Sequence, residues 1–268
     1  MATVTVGDIA MHYETVGSGD PLILIPYLSA DHACYAFQTP DYAQHFTCVA
    51  VDLRGSGLTD KPAGPYSTEQ LADDVAGLMA AAGIGRAHVA GVSLGAAVGM
   101  WLAAMYPERV ASLSLHSAWP RTDPFLAVVV KGWQAMTRAL ESVPEMVIQG
   151  IFPWCFTPRM YADTPELVAG LEDFVRSRPV QPVDSFLHQS EAVLAHDALA
   201  QLERIVAPTQ ITYGRWDLIT STRFEPVLGE GIKHAERVVF EHLSHAGLHE
   251  DAGAFNRATL EFLTRQKL

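Results

Sequence analysis

The pentapeptide Gly91-Val92-Ser93-Leu94-Gly95 is where this sequence is equipped for chemistry. A serine held between small residues, where a buried strand turns sharply into a helix, presents its hydroxyl as a nucleophile. Glycines on either side let strand and helix approach without Cβ clashes. Gly91 and Gly95 meet that need, and Ala96 and Ala97 keep the helix slim. Composition alone can generate such a pentapeptide, so its position carries the argument. It lies between the strand-like run AHVAGV and the apolar helix LGAAVGMWLAAMYP. Ser93 therefore stands at a helix N-terminus, where N–H groups and the dipole favour developing negative charge.

The elements that must position this serine alternate between strand and helix, the pattern of a mostly parallel sheet covered on both faces. TVTVGDIAMHYETVG alternates with period two, as an edge hairpin does. PLILIPYL (21–28), TCVAVDL (47–53), RAHVAGV (86–92) and RVASLSLHS (109–117) are continuous apolar runs of the kind buried on both faces. TQITYG (209–214) and ERVVFEHL (236–243) supply the last strands, and AGAFNRATLEFLTRQ a closing helix. Ser67 with Gln70 three residues on opens the helix STEQLADDVAGLMAAAG, which Gly83 ends. Between these strands, residues 119–199 lose the alternation and become helical, cut into short pieces by Pro144, Pro153, Pro158 and Pro165. The division expected is a core of 1–118 and 200–268 with a helical cap of 119–199 over one end of the sheet.

Composition excludes several classes. The 268 residues are 49% hydrophobic and 18% charged, enough for a large core and unlike a disordered chain. A formal net charge of −12 argues against nucleic acid, whose phosphates require a basic surface. The N-terminal segment lacks the basic stretch and apolar run of a signal peptide, and no apolar run is long enough to cross a bilayer, so no membrane partner is expected. Cys34, Cys48 and Cys155 are spaced neither as a disulfide framework nor as a metal cage, and a reducing cytoplasm is the expected compartment. No phosphate-cradling or dinucleotide loop is present either. Neither a cofactor nor a metal is expected.

Five segments, in order, resemble the α/β-hydrolase superfamily across nearly the full length. Asp52-Leu53-Arg54-Gly55-Ser56-Gly57 looks like its D-x-R-G-x-G turn, Gly91–Gly95 like its nucleophile elbow, and Tyr106-Pro107-Glu108-Arg109-Val110 like its helix-to-strand link. The stretch from Ile205 to Thr209, with Gly214 to Asp217, looks like the strand that ends in the catalytic acid. Ser244-His245-Ala246 resembles the segment carrying the catalytic histidine. The resemblance implies an α/β-hydrolase fold with an eight-stranded sheet and a triad in the chain order Ser93, Asp217, His245. Asp197 and Asp184 compete for the acid from within the cap, and His242 and His249 for the base. The serine excludes relatives that use an aspartate at the elbow.

The chemistry implied is acyl transfer through a covalent intermediate: His245 takes the Ser93 proton and Asp217 fixes the imidazole tautomer. The oxyanion requires two preorganised N–H donors. One is expected from Leu94 and the other from Leu28, in the loop after PLILI. That loop departs from the family, reading Pro26-Tyr27 where His-Gly is usual, which places a phenol at the pocket mouth. Tyr27, His116, Trp119, Phe125 and Trp154 are the expected substrate contacts. The cap and the stretch LHSAWPRTDP resemble enol-lactonases, aminoacrylate-type hydrolases and the serine-dependent macrolide esterases. The first two want a basic clamp, for which Arg121, Lys131 and Arg138 are candidates. An aromatic cap on an acidic protein better suits a bulky apolar ester or lactone, so a macrolide-lactone esterase is the narrower expectation and a small-acid enol-lactonase the alternative. A ligand receptor or an acyltransferase on the same fold is the alternative of another class, and a hydroxynitrile lyase or perhydrolase shares the same residues.

Overall fold

The computed structural model describes residues 2–268. Eight strands form one sheet: β1 (Ala2–Val6), β2 (Ile9–Gly17), β3 (Asp20–Ile25), β4 (Phe46–Val51), β5 (Ala87–Val92), β6 (Val110–His116), β7 (Thr209–Gly214) and β8 (Glu236–Phe240). Their spatial order is β1-β2-β4-β3-β5-β6-β7-β8. β1 pairs with β2 and β2 with β4 antiparallel, and every other neighbouring pair is parallel. The α/β-hydrolase architecture expected from the sequence is the one observed.

β5, β6 and β7 are buried at every residue, as continuous apolar runs in the middle of a covered sheet should be. Two of the polar residues they bury pair with each other: His88 Nδ1 lies 2.8 Å from Ser112 Oγ across the β5–β6 ladder. Three strands end sooner than their apolar runs. β3 stops at Ile25 because Pro26 has no N–H for the ladder. β4 stops at Val51, just before Asp52, whose carboxylate accepts from the N–H and Nδ1 of His32, both at 2.7 Å. β8 stops at Phe240, where the chain turns.

Helix Thr68–Ala81 begins as expected, with the Ser67 hydroxyl accepting from the Gln70 N–H at 3.1 Å. It packs against helix Leu94–Met105, which follows β5. Between β6 and β7 the chain adds no strand to the sheet. It forms helix Pro124–Leu140, short helical turns through residue 163, and helices Pro165–Ser177 and Val183–Ala195. Prolines stand in the first turns of these pieces, where a missing N–H costs nothing. The two ends of the insertion are tied together by Thr122 N–H to the His196 carbonyl (3.0 Å) and Ala198 N–H to the Pro120 carbonyl (2.7 Å). Among the described residues no helix is long and apolar enough to cross a membrane.

Candidate active site

Ser93 sits between β5 and helix Leu94–Met105 with φ 52° and ψ −116°, a conformation that costs a non-glycine residue about 1–3 kcal/mol. The surroundings enforce it. Its N–H donates to the His116 carbonyl at 2.9 Å, and its own carbonyl accepts from Ala96 and Ala97 at 2.8 and 3.1 Å. A Cβ at Gly91 would collide with the Gly95 carbonyl, and one at Gly95 with the Ile25 and Pro26 carbonyls. The elbow glycines are thus contact points between β5, the helix and the end of β3.

Asp217 and His245 lie in the loops that follow β7 and β8. Asp217 Oδ2 is 2.9 Å from His245 Nδ1. Its Oδ1 accepts from the N–H groups of Ile219 and Thr220 at 2.8 and 3.0 Å, and Thr220 Oγ1 lies 2.9 Å from Oδ2. Burial works to raise this carboxyl, but the neighbouring His245 and the converging donors outweigh it and hold the group well below the carboxylate range. Asp217 is therefore a fixed anion that accepts from Nδ1 and leaves Nε2 to face the cavity. His245 and Ser93 line one and the same cavity. The loop carrying His245 is stitched to the insertion: Ala246 N–H donates to the Cys155 carbonyl at 3.0 Å, and Glu250 accepts from the N–H groups of both Thr157 and Ser244.

Leu28 borders the cavity and Leu94 opens the helix behind Ser93. Neither N–H finds a hydrogen-bond acceptor among the described residues. The loop that follows β3 and carries Leu28 is ordered without the usual glycine. Ala30 N–H donates to the Tyr27 carbonyl (3.2 Å), Asp31 caps the turn His32–Tyr35, and the Tyr35 hydroxyl holds the Ile25 carbonyl at 2.7 Å. Only Ser29, with φ 63°, takes the left-handed conformation there.

The rival residues fall elsewhere. Asp184 lies on helix Val183–Ala195 and Asp197 at the foot of the insertion, where Arg121 pairs with it loosely at 3.9 Å. His242 is exposed beside Asp251. His249 does border the cavity, with Nε2 3.1 Å from the Tyr27 hydroxyl, but burial pushes it down to about 4, and it makes no contact with Asp217. Burial likewise pushes the Cys155 thiol on the cavity wall far above its ordinary range, so it offers no thiolate.

Of the expected substrate contacts, Tyr27 and Trp119 line the cavity, while His116, Phe125 and Trp154 do not. His116 is committed to the framework. Its Nδ1 lies 2.7 Å from Thr212 Oγ1, its Nε2 donates to the His245 carbonyl at 3.2 Å, and burial pushes it down to about 3. Phe125 is 49% exposed and stacks under Arg223, because Leu126, Val130 and Trp133 form the inward face of its helix. Trp154 is 38% exposed, since Phe152 and Phe156, one helical turn apart, take the inward positions. The 126/130/133 and 152/156 spacings were the available signals. Thr220 carried none, and His249 stood out only as a rival base. Arg121, Lys131 and Arg138 are all absent from the cavity wall.

The α/β hydrolase fold model matches residues 18–252. Over 263 residues the chain is 30% identical to RutD of Azorhizobium caulinodans, a protein named for carbamate hydrolysis, covering 96% of each chain. It is 28% identical to 3-oxoadipate enol-lactonase 2 of Acinetobacter baylyi, covering 98% of this chain and 96% of that one. Among solved structures, the enol-lactonase of Burkholderia xenovorans LB400 superposes with a TM-score of 0.84 at 27% identity, over 98% of this chain and 100% of that one. The hydrolase MGS-M2, from a Medee basin deep-sea metagenome library, superposes with a TM-score of 0.91 at 20% identity over 100% and 98%, a likeness of fold alone. This chain belongs to the α/β hydrolase fold family and is a hydrolase resembling its enol-lactonase-like members.

Proposed function

We propose that this hydrolase cleaves an uncharged carboxylic ester or lactone through an acyl-enzyme on Ser93. The observation that carries the reading is the strained Ser93 facing the same apolar cavity as His245, whose Nδ1 is held by Asp217. Ser93 Oγ attacks the carbonyl carbon while its proton passes to His245 Nε2. The oxyanion is held by the free N–H groups of Leu28 and Leu94, each such donor contributing about 3 kcal/mol. The imidazolium, steadied by ionised Asp217, then protonates the departing alkoxide. Water, deprotonated by the same imidazole, attacks the acyl-enzyme and returns Ser93 to its resting state.

The wall of the cavity supports an apolar substrate. Its polar side chains are Tyr27, Ser29, Ser93, Trp119, Trp133, Thr220, His245 and His249, with no arginine, lysine or carboxylate. A small dicarboxylate would find no basic clamp there; the adjoining depression holds Arg178, already paired with Asp31 at 2.9 Å. Within this class the narrower proposal is a macrolide-type lactone, and the relatives named as enol-lactonases make a small lactone the alternative. The test is mass spectrometry of products from macrolides, enol-lactones and short p-nitrophenyl esters, with Ser93→Ala as control. A gain of one water that disappears in Ser93→Ala is expected. Turnover that survives Ser93→Ala overturns the mechanism, and a macrolide panel returned unchanged ends the narrower proposal.

A further inference from the structure

Three side chains outside the catalytic cavity converge behind the loop that carries Leu28. His12 and Glu14 stand two apart on β2 and therefore share one face of the strand. His32 opens the turn that follows the loop. One ligating atom from each lies within 4.8 Å of the other two. His32 Nε2 is 3.4 Å from Glu14 Oε1, too long for a good hydrogen bond but close to the edge, roughly 3.3 Å, of a tetrahedral ion with bonds of about 2.0 Å.

The His32 ring is oriented for ligation. Asp52 Oδ1 accepts from His32 Nδ1 at 2.7 Å, which leaves the Nε2 lone pair turned towards Glu14. A carboxylate behind a metal-bound histidine is the usual means of fixing ring and tautomer. His12 is 4% exposed, and its Nε2 is buried without a hydrogen-bond partner among the described residues. A buried imidazole nitrogen left unpaired is costly unless something occupies it. The overlapping group Asp31, His32 and Asp52 is different, because its carboxylate oxygens are already taken by Arg178 and by the N–H groups of His32, Ala33 and Leu58.

We propose that His12, Glu14 and His32 form a binding site for a divalent transition-metal ion of the zinc class, with Asp52 orienting His32. Two imidazole nitrogens and one carboxylate are donors that such ions accept, and the half-exposed Glu14 leaves a fourth position to water. A shallow depression lined by Glu14, His32 and Arg178 gives entry. Arg178 is the competing cation: its Nη2 lies 3.5 Å from His32 Nε2 and must swing aside, while Asp31 keeps hold of its Nε. An ion here fastens the segment after Leu28 to β2. None of the three ligands lines the catalytic cavity, so the proposal stands apart from the hydrolytic reading. No metal-ligand spacing announces the site, since His32 is 18 residues beyond Glu14.

The test is titration of the chelator-stripped full chain with zinc against a chromophoric chelator at neutral pH, with the cobalt(II) visible spectrum in parallel. One equivalent with a dissociation constant at or below micromolar is expected. His12→Gln and Glu14→Gln should each weaken it at least about tenfold and change the cobalt bands, while circular dichroism reports an unaltered fold. Arg178→Gln should tighten binding severalfold by removing the competing charge. Zinc should also raise the Tm of the parent chain and leave that of His12→Gln where it was. Absence of a high-affinity equivalent overturns the proposal. So does an equivalent whose affinity neither His12→Gln nor Glu14→Gln changes, because the ion would then sit on other histidines.

Discussion

Three histidines are buried as neutral imidazoles, and acid should unfold the protein through them. Burial pushes His116 down to about 3, and His196 and His249 to about 4, from an ordinary 6.5. Between those values the unfolded chain binds protons that the folded chain refuses, so the native state loses stability as pH falls from 6.5 towards 4. At about 1.36 kcal/mol per unit, the step from pH 7 to pH 5 costs roughly 2 kcal/mol per histidine, or about 6 kcal/mol for the three. His12 and His88, also held low by burial, add in the same direction. His32 opposes them: burial works to lower it, but its bond to Asp52 raises it on balance. Carboxylates held low, Asp217 among them, add their loss only below their ordinary 3.8, outside this window. Urea unfolding at pH 7 and pH 5, followed by circular dichroism with m-values compared, measures the difference. Since domains are typically stable by about 5–15 kcal/mol, the predicted loss is a large share of the whole. His196→Gln should shrink the pH-dependent part by about 2 kcal/mol, because the Thr68 hydroxyl and the Trp119 carbonyl that His196 bridges no longer depend on an imidazole. A stability unchanged from pH 7 to pH 5 would refute the reasoning.

Asp217→Asn should lower kcat by about 10³–10⁴-fold with little change in KM, because an amide at that place stabilises the wrong tautomer of His245; steady-state kinetics on a p-nitrophenyl ester measures it, and a loss under tenfold would exclude Asp217 as the acid. Phe152→Ala should raise KM for long-chain esters and destabilise the fold by roughly 3–5 kcal/mol, whereas Trp154→Ala two residues away should leave kinetics unchanged and shift stability little. Equal kinetic effects from the two would show that the inward face of that turn is misassigned.

The sheet was legible because its interior strands are buried on both faces, so the apolar runs HVAGV, SLSL and TQITYG have no solvent-facing alternative. Two positions of the proposed triad stood out for a related reason: Ser93 and Asp217 lie just past the buried strands β5 and β7, whereas His245 follows the partly exposed edge strand β8 and was marked by the resemblance of Ser244-His245-Ala246. The insertion was different. Between residues 143 and 163 its pieces are short and broken by prolines, so fewer than two turns remain in each in which a periodic face can declare itself. Trp154, on one such piece, could not be placed on a face, whereas the exposure of Phe125 was open to the 126/130/133 spacing of its long helix, since an aromatic residue marks a contact only when the face of its helix is known. His116 was misread for the opposite reason. It stands at the end of β6 beside the loops carrying Asp217 and His245, but the adjacent Thr212 and the His245 carbonyl take both ring nitrogens.

Tyr27 in place of glycine links the oxyanion loop to the wall of the cavity. A glycine there would contribute only backbone, whereas Tyr27 buries a phenol whose hydroxyl meets His249 Nε2 at 3.1 Å with the two rings edge to face at 6.1 Å. Burial raises the phenol well above its ordinary range and lowers the imidazole, so both partners are neutral at neutral pH. The pair thus fills space beside Ser93 with polar but uncharged surface. An anionic substrate brought into this cavity would lose its hydration without gaining a counter-charge, a penalty of several kcal/mol. An uncharged acyl group loses nothing comparable and gains contact with Trp119, Trp133 and Phe152. Selectivity between the two kinds of ester is therefore set by what the wall lacks as much as by what it presents.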